Sequence, residues 1–346
     1  MPSLFDPDSE NAKIIYMGDS GHGKTGSKAA LIAAGYKLRM IDTDRGFRIL
    51  RSLLTDSRYP YAAYIKKAGI DLTEPGRISY IPVDVPIALK TMNKTGTRES
   101  YNILAPTNSN GWSQISNMLY EWRDGDVNLG PVTDWDQDCI LDIDTIGTAA
   151  ELAKYWVQDI NNRLGQLEDD HGRDSGDAQE MIRRLSTLLT NPSVKCNVIV
   201  TAHINWVDTT RGAPQNPNVL IRQNKTPDPR GFPQIIGQAL SPVFGKRWND
   251  LFIVRRTGGS NSTDRRIYTV PTDNVDAKNS AFLEKSYPLS TGLAEIFAAL
   301  RYQDPPTELI KAIRGADPAP DSAANPDNKN VAGFSGATRR FGSRNS

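Results

Sequence analysis

Histidine and cysteine are scarce, with three His and two Cys in 346 residues. No Cys-x-x-Cys pair occurs, so neither a zinc site nor a disulfide framework is expected. Cys139 and Cys196 lie in or beside apolar, strand-like runs and read as small buried hydrophobes. No charge of one sign dominates, because 41 Lys plus Arg face 40 Asp plus Glu. That balance forces neither a nucleic-acid nor a membrane reading, although it leaves room for a local basic surface. Long hydrophobic runs are also missing. None approaches the roughly 18 residues of a membrane span, and the first residues lack the pattern of a signal peptide. A soluble, cytoplasmic protein is the expectation.

What the chain does contain is a complete G-x-x-x-x-G-K-[ST] phosphate-binding loop, Gly18-Asp19-Ser20-Gly21-His22-Gly23-Lys24-Thr25, followed by Gly26. Gly18, Gly21 and Gly23 allow a tight turn that brings backbone N–H groups close to phosphate oxygens. Lys24 supplies a point charge for the β- and γ-phosphates. Thr25 offers a hydroxyl to Mg²⁺. The loop follows an apolar run at Ile14–Met17 and precedes helix formers over Lys24–Ala34, with Gly35 at the helix end. Strand, loop, helix is the arrangement a working phosphate loop needs.

Apolar runs alternate with helical patterns along the chain. Further strands are expected at Leu38–Ile41, Ile78–Pro82, Cys139–Ile143 and Asn197–Ala202. Helices are expected at Phe47–Leu54, Trp112–Trp122, Thr148–Leu167 and Ala178–Leu189. This predicts an α/β domain over residues 1–314, with a mostly parallel, twisted sheet and helices on both faces. Leu251–Arg255 and Arg266–Val270 read as a C-terminal β-hairpin, and Leu293–Leu300 and Pro306–Arg314 as short closing helices. An insertion at about 83–137 has no clear assignment. Residues 208–232 read as a long loop, and 315–346 as a disordered tail tipped by Arg339, Arg340 and Arg344 around Phe341.

The polar residues at the strand ends are candidates for chemistry. Asp144 closes an apolar run at the carboxyl end, where ligands bind open α/β sheets, and is favoured as the Mg²⁺-holding acid. Asp142 lies two residues earlier and so shares its face. The two either couple, with one protonated, or both face the metal. Asp44 follows the second strand and either orients and deprotonates an attacking water or caps the helix at Phe47–Leu54. His203 follows the fifth strand and is the candidate γ-phosphate sensor, with Thr201 second.

Taken in order, these pieces resemble the RecA-like ATPases, in particular phage-encoded AAA-type ATP-binding proteins of recombination. The matching stretches are Gly18–Thr25, Ile41–Gly46, Asp144-Thr145, Val198–His203, and Gln234–Gly237 leading to Trp248–Asp250. The resemblance implies a RecA-like core, ATP with Mg²⁺, and homo-oligomeric rings or filaments on single-stranded DNA. It also implies that Asp44 is the water-activating base, where the family usually carries a glutamate. DNA-binding loops would follow the fourth and fifth strand units. The first, Gly165–Gly176, is Asp-rich. The second carries Arg211, Arg222, Lys225 and Arg230, with Trp206 and Phe232 nearby. Lys246, Arg247, Arg255 and Arg256 are candidates for an arginine-finger-like role on a neighbouring subunit. Three functions follow as expectations: a DNA-dependent recombination or annealing ATPase, a DNA motor or helicase loader, or a nucleotide-binding switch or scaffold without turnover.

Overall fold

The computed structural model describes residues 11–84, 87–93, 100–164, 172–208, 229–236, 240–257, 264–272 and 274–315. In chain order the first elements are β1 (Lys13–Gly18), α1 (Lys24–Ser27), α2 (Ala29–Ala33), β2 (Lys37–Asp42), α3 (Phe47–Thr55), α4 (Pro60–Ala68) and β3 (Ile78–Pro82). Next come β4 (Ile87–Asn93), β5 (Ser100–Pro106), α5 (Asn110–Tyr120), β6 (Trp122–Asp124), β7 (Val127–Gly130), β8 (Cys139–Asp144), α6 (Ile146–Ile160) and α7 (Arg173–Leu189). The last are β9 (Asn197–Ala202), β10 (Ile204–Asp208), β11 (Pro229–Pro233), α8 (Ser241–Phe244), β12 (Asp250–Arg256), β13 (Arg265–Tyr268), β14 (Ser286–Pro288), α9 (Gly292–Leu300) and α10 (Thr307–Arg314).

β1 is buried along its whole length. Its alternation sends Ile14 and Tyr16 to one face of the sheet and Ile15 and Met17 to the other. A strand covered on both faces reads in sequence as an unbroken apolar run, which is the signature of a parallel sheet. Eight strands form that sheet in the order β14-β13-β12-β1-β9-β8-β2-β3. The six from β12 to β3 are parallel, and β13 and β14 extend the edge antiparallel. One face is covered by α5, α6 and α7 through Ile115, Leu152, Ile182 and Leu189. The other is covered by α2, α3, α4, α9 and α10 through Leu31, Leu50, Ile65, Phe297 and Ile313. The fold is thus the mostly parallel α/β sheet with helices on both faces that the sequence predicts, with β9 inserted between the loop-bearing β1 and the acid-bearing β8.

Several boundaries differ from expectation for local reasons. The helix expected at Trp112–Trp122 stops at Tyr120, because Trp122 turns into β6, is fully buried and donates from Nε1 to Ser79 Oγ at 2.8 Å. The helix expected to run to Leu167 ends at Ile160. The helix after the loop passes through Lys28 as two short segments, α1 and α2, and ends at Gly35 with φ +99°. The unassigned insertion is built from the hairpin β4–β5, then α5, then the hairpin β6–β7. It joins the main core through Ile115, Trp122 and Trp135. Residues 209–228, with Arg211, Arg222 and Lys225, lie outside the described residues, as do 165–171 and the tail from 316 onward. Both cysteines are buried and free. No helix among the described residues is long and apolar enough to cross a membrane.

Candidate functional site

Parallel strands deliver their carboxyl ends to one edge of the sheet, and the phosphate loop leaves β1 at that edge. Within the loop, Gly21 and Gly23 adopt φ +75° and +90°, which side-chain-bearing residues rarely adopt. Asp19 and Ser20 are exposed, and His22 Nδ1 is 3.0 Å from the Val254 carbonyl, tying the loop to β12. The Lys24 ammonium lies back on the loop, donating to the carbonyls of Gly18 (2.6 Å) and Asp19 (3.0 Å). Burial pulls its pKa down to about 8.

Thr25 Oγ1 donates to Asp144 Oδ2 at 2.6 Å, joining the loop to the end of β8. The same Oδ2 receives the Lys28 ammonium at 3.0 Å. Lys28 is wholly buried and also donates to Asp142 Oδ2 at 2.5 Å and Thr201 Oγ1 at 3.1 Å. Pleating explains the set. Asp142 and Asp144 point to the face that carries α1, and Thr201 on β9 points the same way. Burial opposes the Lys28 charge, but the two carboxylates outweigh it and the pKa is raised. Burial pushes the Asp142 carboxyl up to about 7, partly offset by Lys28.

Of the two alternatives, coupling with Asp144 or facing the metal beside it, this geometry supports coupling for Asp142. It stands one pleat deeper, has no exposed surface and is engaged by Lys28. The hard-oxygen pair left at the mouth is Thr25 and Asp144. A hydroxyl and a carboxylate beside a phosphate loop fit Mg²⁺, which takes one or two protein oxygens together with substrate phosphates. Gly46 packs against this pair. A Cβ there would stand 3.0 Å from Thr25 Oγ1 and 3.4 Å from Asp144 Oδ2.

The acids after β2 divide two roles that sequence leaves open for one. Asp42 binds the start of α3, accepting from the amides of Gly46 (2.9 Å) and Phe47 (3.0 Å). Asp44 does not cap that helix. Its Oδ1 accepts from Thr148 Oγ1 at 2.9 Å, and its Oδ2 lies 3.6 Å from His203 Nε2. The adjacent His203 ring lowers the Asp44 pKa against its partial burial. His203 Nδ1 in turn lies 3.5 Å from Lys24 Nζ. Between the two acids, Thr43 clamps the end of β8: its amide donates to the Asp144 carbonyl at 2.7 Å, and its hydroxyl takes the Thr145 amide at 2.8 Å. The Asp144–Thr145 peptide is cis.

The other expected groups lie elsewhere. Arg255 and Arg256 end β12 at the loop edge. Lys246 and Arg247 precede β12 at the opposite edge, where Arg247 Nη1 donates to Thr187 Oγ1 at 2.7 Å. Trp206 is half exposed on β10, which pairs with β11. That hairpin is rooted at the site, because the Gln234 amide donates to the His203 carbonyl at 2.8 Å. A cleft of about 850 Å³ bounded by Trp112, Leu119, Trp156 and Leu188 lies on the α5–α7 face and holds none of these groups. Lys28, Asp42, Thr43, Gly46 and Thr148 were absent from the sequence-based set. Asp42, Thr43 and Gly46 lie within the matching stretch Ile41–Gly46, whereas Lys28 and Thr148 carry no sequence signal.

No protein-family model matches the chain, and no curated protein does. Among solved structures, it is similar to a KaiC-like protein from Pyrococcus horikoshii, at 12% identity and a TM-score of 0.35 over 81% of this chain and 85% of that one. It is also similar to the flagellar accessory protein FlaH from Methanocaldococcus jannaschii, at 12% identity and a TM-score of 0.33 over 82% and 88%.

Removing the buried cation tests that geometry. Lys28→Met leaves buried carboxyl groups without their partner and is expected to cost about 3–5 kcal/mol of stability. The double variant Lys28→Met/Asp142→Leu is expected to recover part of it. Urea unfolding of both variants measures the effect, and a single-variant loss under about 1 kcal/mol would contradict the assignment.

Proposed function

We propose that this chain is a Mg²⁺-dependent, RecA-like ATPase that acts on single-stranded DNA as a homo-oligomer, in recombination, annealing or replication of the phage type. The observation that carries the ATPase reading is convergence. Lys24 and Thr25 after β1, Asp44 after β2, Asp144 on β8 and His203 after β9 meet at one sheet edge within hydrogen-bonding or ion-pair range of one another.

Each residue has a defined task. Lys24 exchanges two loop carbonyls for phosphate oxygens, a gain because charge-assisted bonds are the stronger kind. Thr25 and Asp144 would hold Mg²⁺, which when bound neutralises charge on the β- and γ-phosphate oxygens. The Asp44 carboxylate accepts a proton from water as that water's oxygen bonds to the γ-phosphorus and the bond to the ADP oxygen breaks. Thr148 and His203 fix the carboxylate that takes this proton. His203 touches both the base and the phosphate-binding lysine, so it senses whether a γ-phosphate is present. Its carbonyl bond to Gln234 passes that state to the β10–β11 hairpin, which carries Trp206 and Arg230 towards the DNA.

A second reading, a nucleotide switch or scaffold without turnover, is favoured by one feature. Asp44 is a short acid already held by Thr148 and His203, which limits its reach towards a water. A motor or helicase-loader role draws on the same core and is distinguished by translocation or dependence on a partner helicase.

ATP hydrolysis measured with and without single-stranded DNA decides between these readings. Stimulation by DNA is expected, Lys24→Ala should abolish turnover, and Asp44→Asn should bind ATP while losing at least ~100-fold in rate. Binding without turnover under both conditions establishes the switch instead. Turnover by Lys24→Ala at the wild-type rate would sink the site assignment.

The lysine also sets a pH dependence. Free Lys24 loses its proton near pH 8, and binding phosphate requires it charged. Nucleotide affinity should therefore fall as pH rises through 8, approaching ~10-fold per pH unit. Titration calorimetry from pH 7 to 9.5 should show the fall, and a flat profile would mean that Lys24 is charged throughout.

A further inference from the structure

We infer that Arg265 and Leu289 form the nucleoside end of the site, so that it selects nucleoside triphosphates over bare polyphosphate. This rests on the nucleotide-site reading above and adds a direction to it. The groups proposed for the chemistry lie on one side of the loop along the sheet edge: His203 after β9, Asp144 on β8 and Asp44 after β2. A terminal phosphate between Lys24 and Asp44 points its nucleoside the opposite way, towards β12, β13 and β14.

Two side chains wait there. Arg265 opens β13 opposite Arg256, and because β13 runs antiparallel its first residue falls at the loop edge. Leu289 follows β14 at the same edge, and its amide donates to the Arg265 carbonyl at 2.9 Å. Both press on the phosphate loop. A Cβ on Gly23 would stand 2.7 Å from Leu289 Cδ2 and 3.1 Å from Arg265 Nη1. Gly23 is therefore required twice, by its φ of +90° and by these neighbours. Arg265 Nε is buried and donates to no acceptor among the described residues, whereas its neighbour Arg266 is bonded to Ser286. A planar guanidinium suits the face of a base through stacking. The leucine supplies an apolar wall. Inorganic triphosphate has neither the base nor the sugar to meet them.

Two probes of the full chain test this: Mg-ATP and Mg-tripolyphosphate, each titrated by competition against a fluorescent nucleotide. Arg265→Met, which keeps most of the apolar stem, is expected to weaken ATP at least ~10-fold while changing tripolyphosphate by less than ~2-fold. Leu289→Ala is expected to shift the ATP-to-tripolyphosphate ratio the same way, and it serves as the independent variant if Arg265→Met unfolds. Equal weakening of both probes, or of neither, overturns the inference and leaves the phosphate loop in place. If wild-type protein binds neither probe, the nucleotide-site reading falls as well.

Discussion

One buried ammonium organises this molecule. Lys28 leaves the helix that follows the phosphate loop and enters the sheet, where it meets Asp142 and Asp144 of β8 and Thr201 of β9. A lysine with no exposed surface is costly unless its charge is paired, and here two carboxylates pair it. The contact locks the loop, the acid strand and the sensor strand into a single relative position. Thr25 then finds Asp144 at hydrogen-bond distance, and Lys24, one helical turn before Lys28, is aimed along the loop. The same contact determines which acid reaches the loop. It holds Asp142 deep in the sheet, while Asp144, one pleat nearer the strand end, also reaches Thr25.

Much of the fold was legible because its signals are local and strong. The phosphate loop spells out its own backbone geometry, and four buried strands, β1, β2, β8 and β9, appear as apolar runs because both of their faces are covered. The β12–β13 hairpin and the two closing helices fall within a few residues of where the pattern puts them. The insertion was not legible. Short hairpins with mixed composition, such as Ile87–Asn93, carry no clear period, and their partners are set by packing.

The site was legible in its members and less so in their division of labour. Asp42 ends the strand and Asp44 lies in the turn after it, and the path of that turn decides that one holds α3 while the other faces Thr148 and His203. Lys28 sits among helix formers, where a lysine ordinarily marks a solvated face. Its burial depends on an aspartate 114 residues away and is invisible to any local reading. Arg265 is one of two consecutive arginines in the antiparallel strand β13, and nothing in its own neighbourhood points to the loop.

The placement of β9 between β1 and β8 has a consequence for how the molecule comes into being. The loop leaves β1 at Gly18, yet β1 is flanked by β9 and β12, which begin at Asn197 and Asp250. No N-terminal fragment that stops before Asp250 contains both neighbours of its own phosphate-binding strand. Parallel pairings across such separations are slow to form, since loop-closure entropy must be met before contacts compensate for it. The binding edge is thus among the last features to be completed as the chain emerges and folds. Any ligand that recognises this edge recognises only a finished sheet, so occupancy also serves as a test of folding, stabilising the whole domain by mass action.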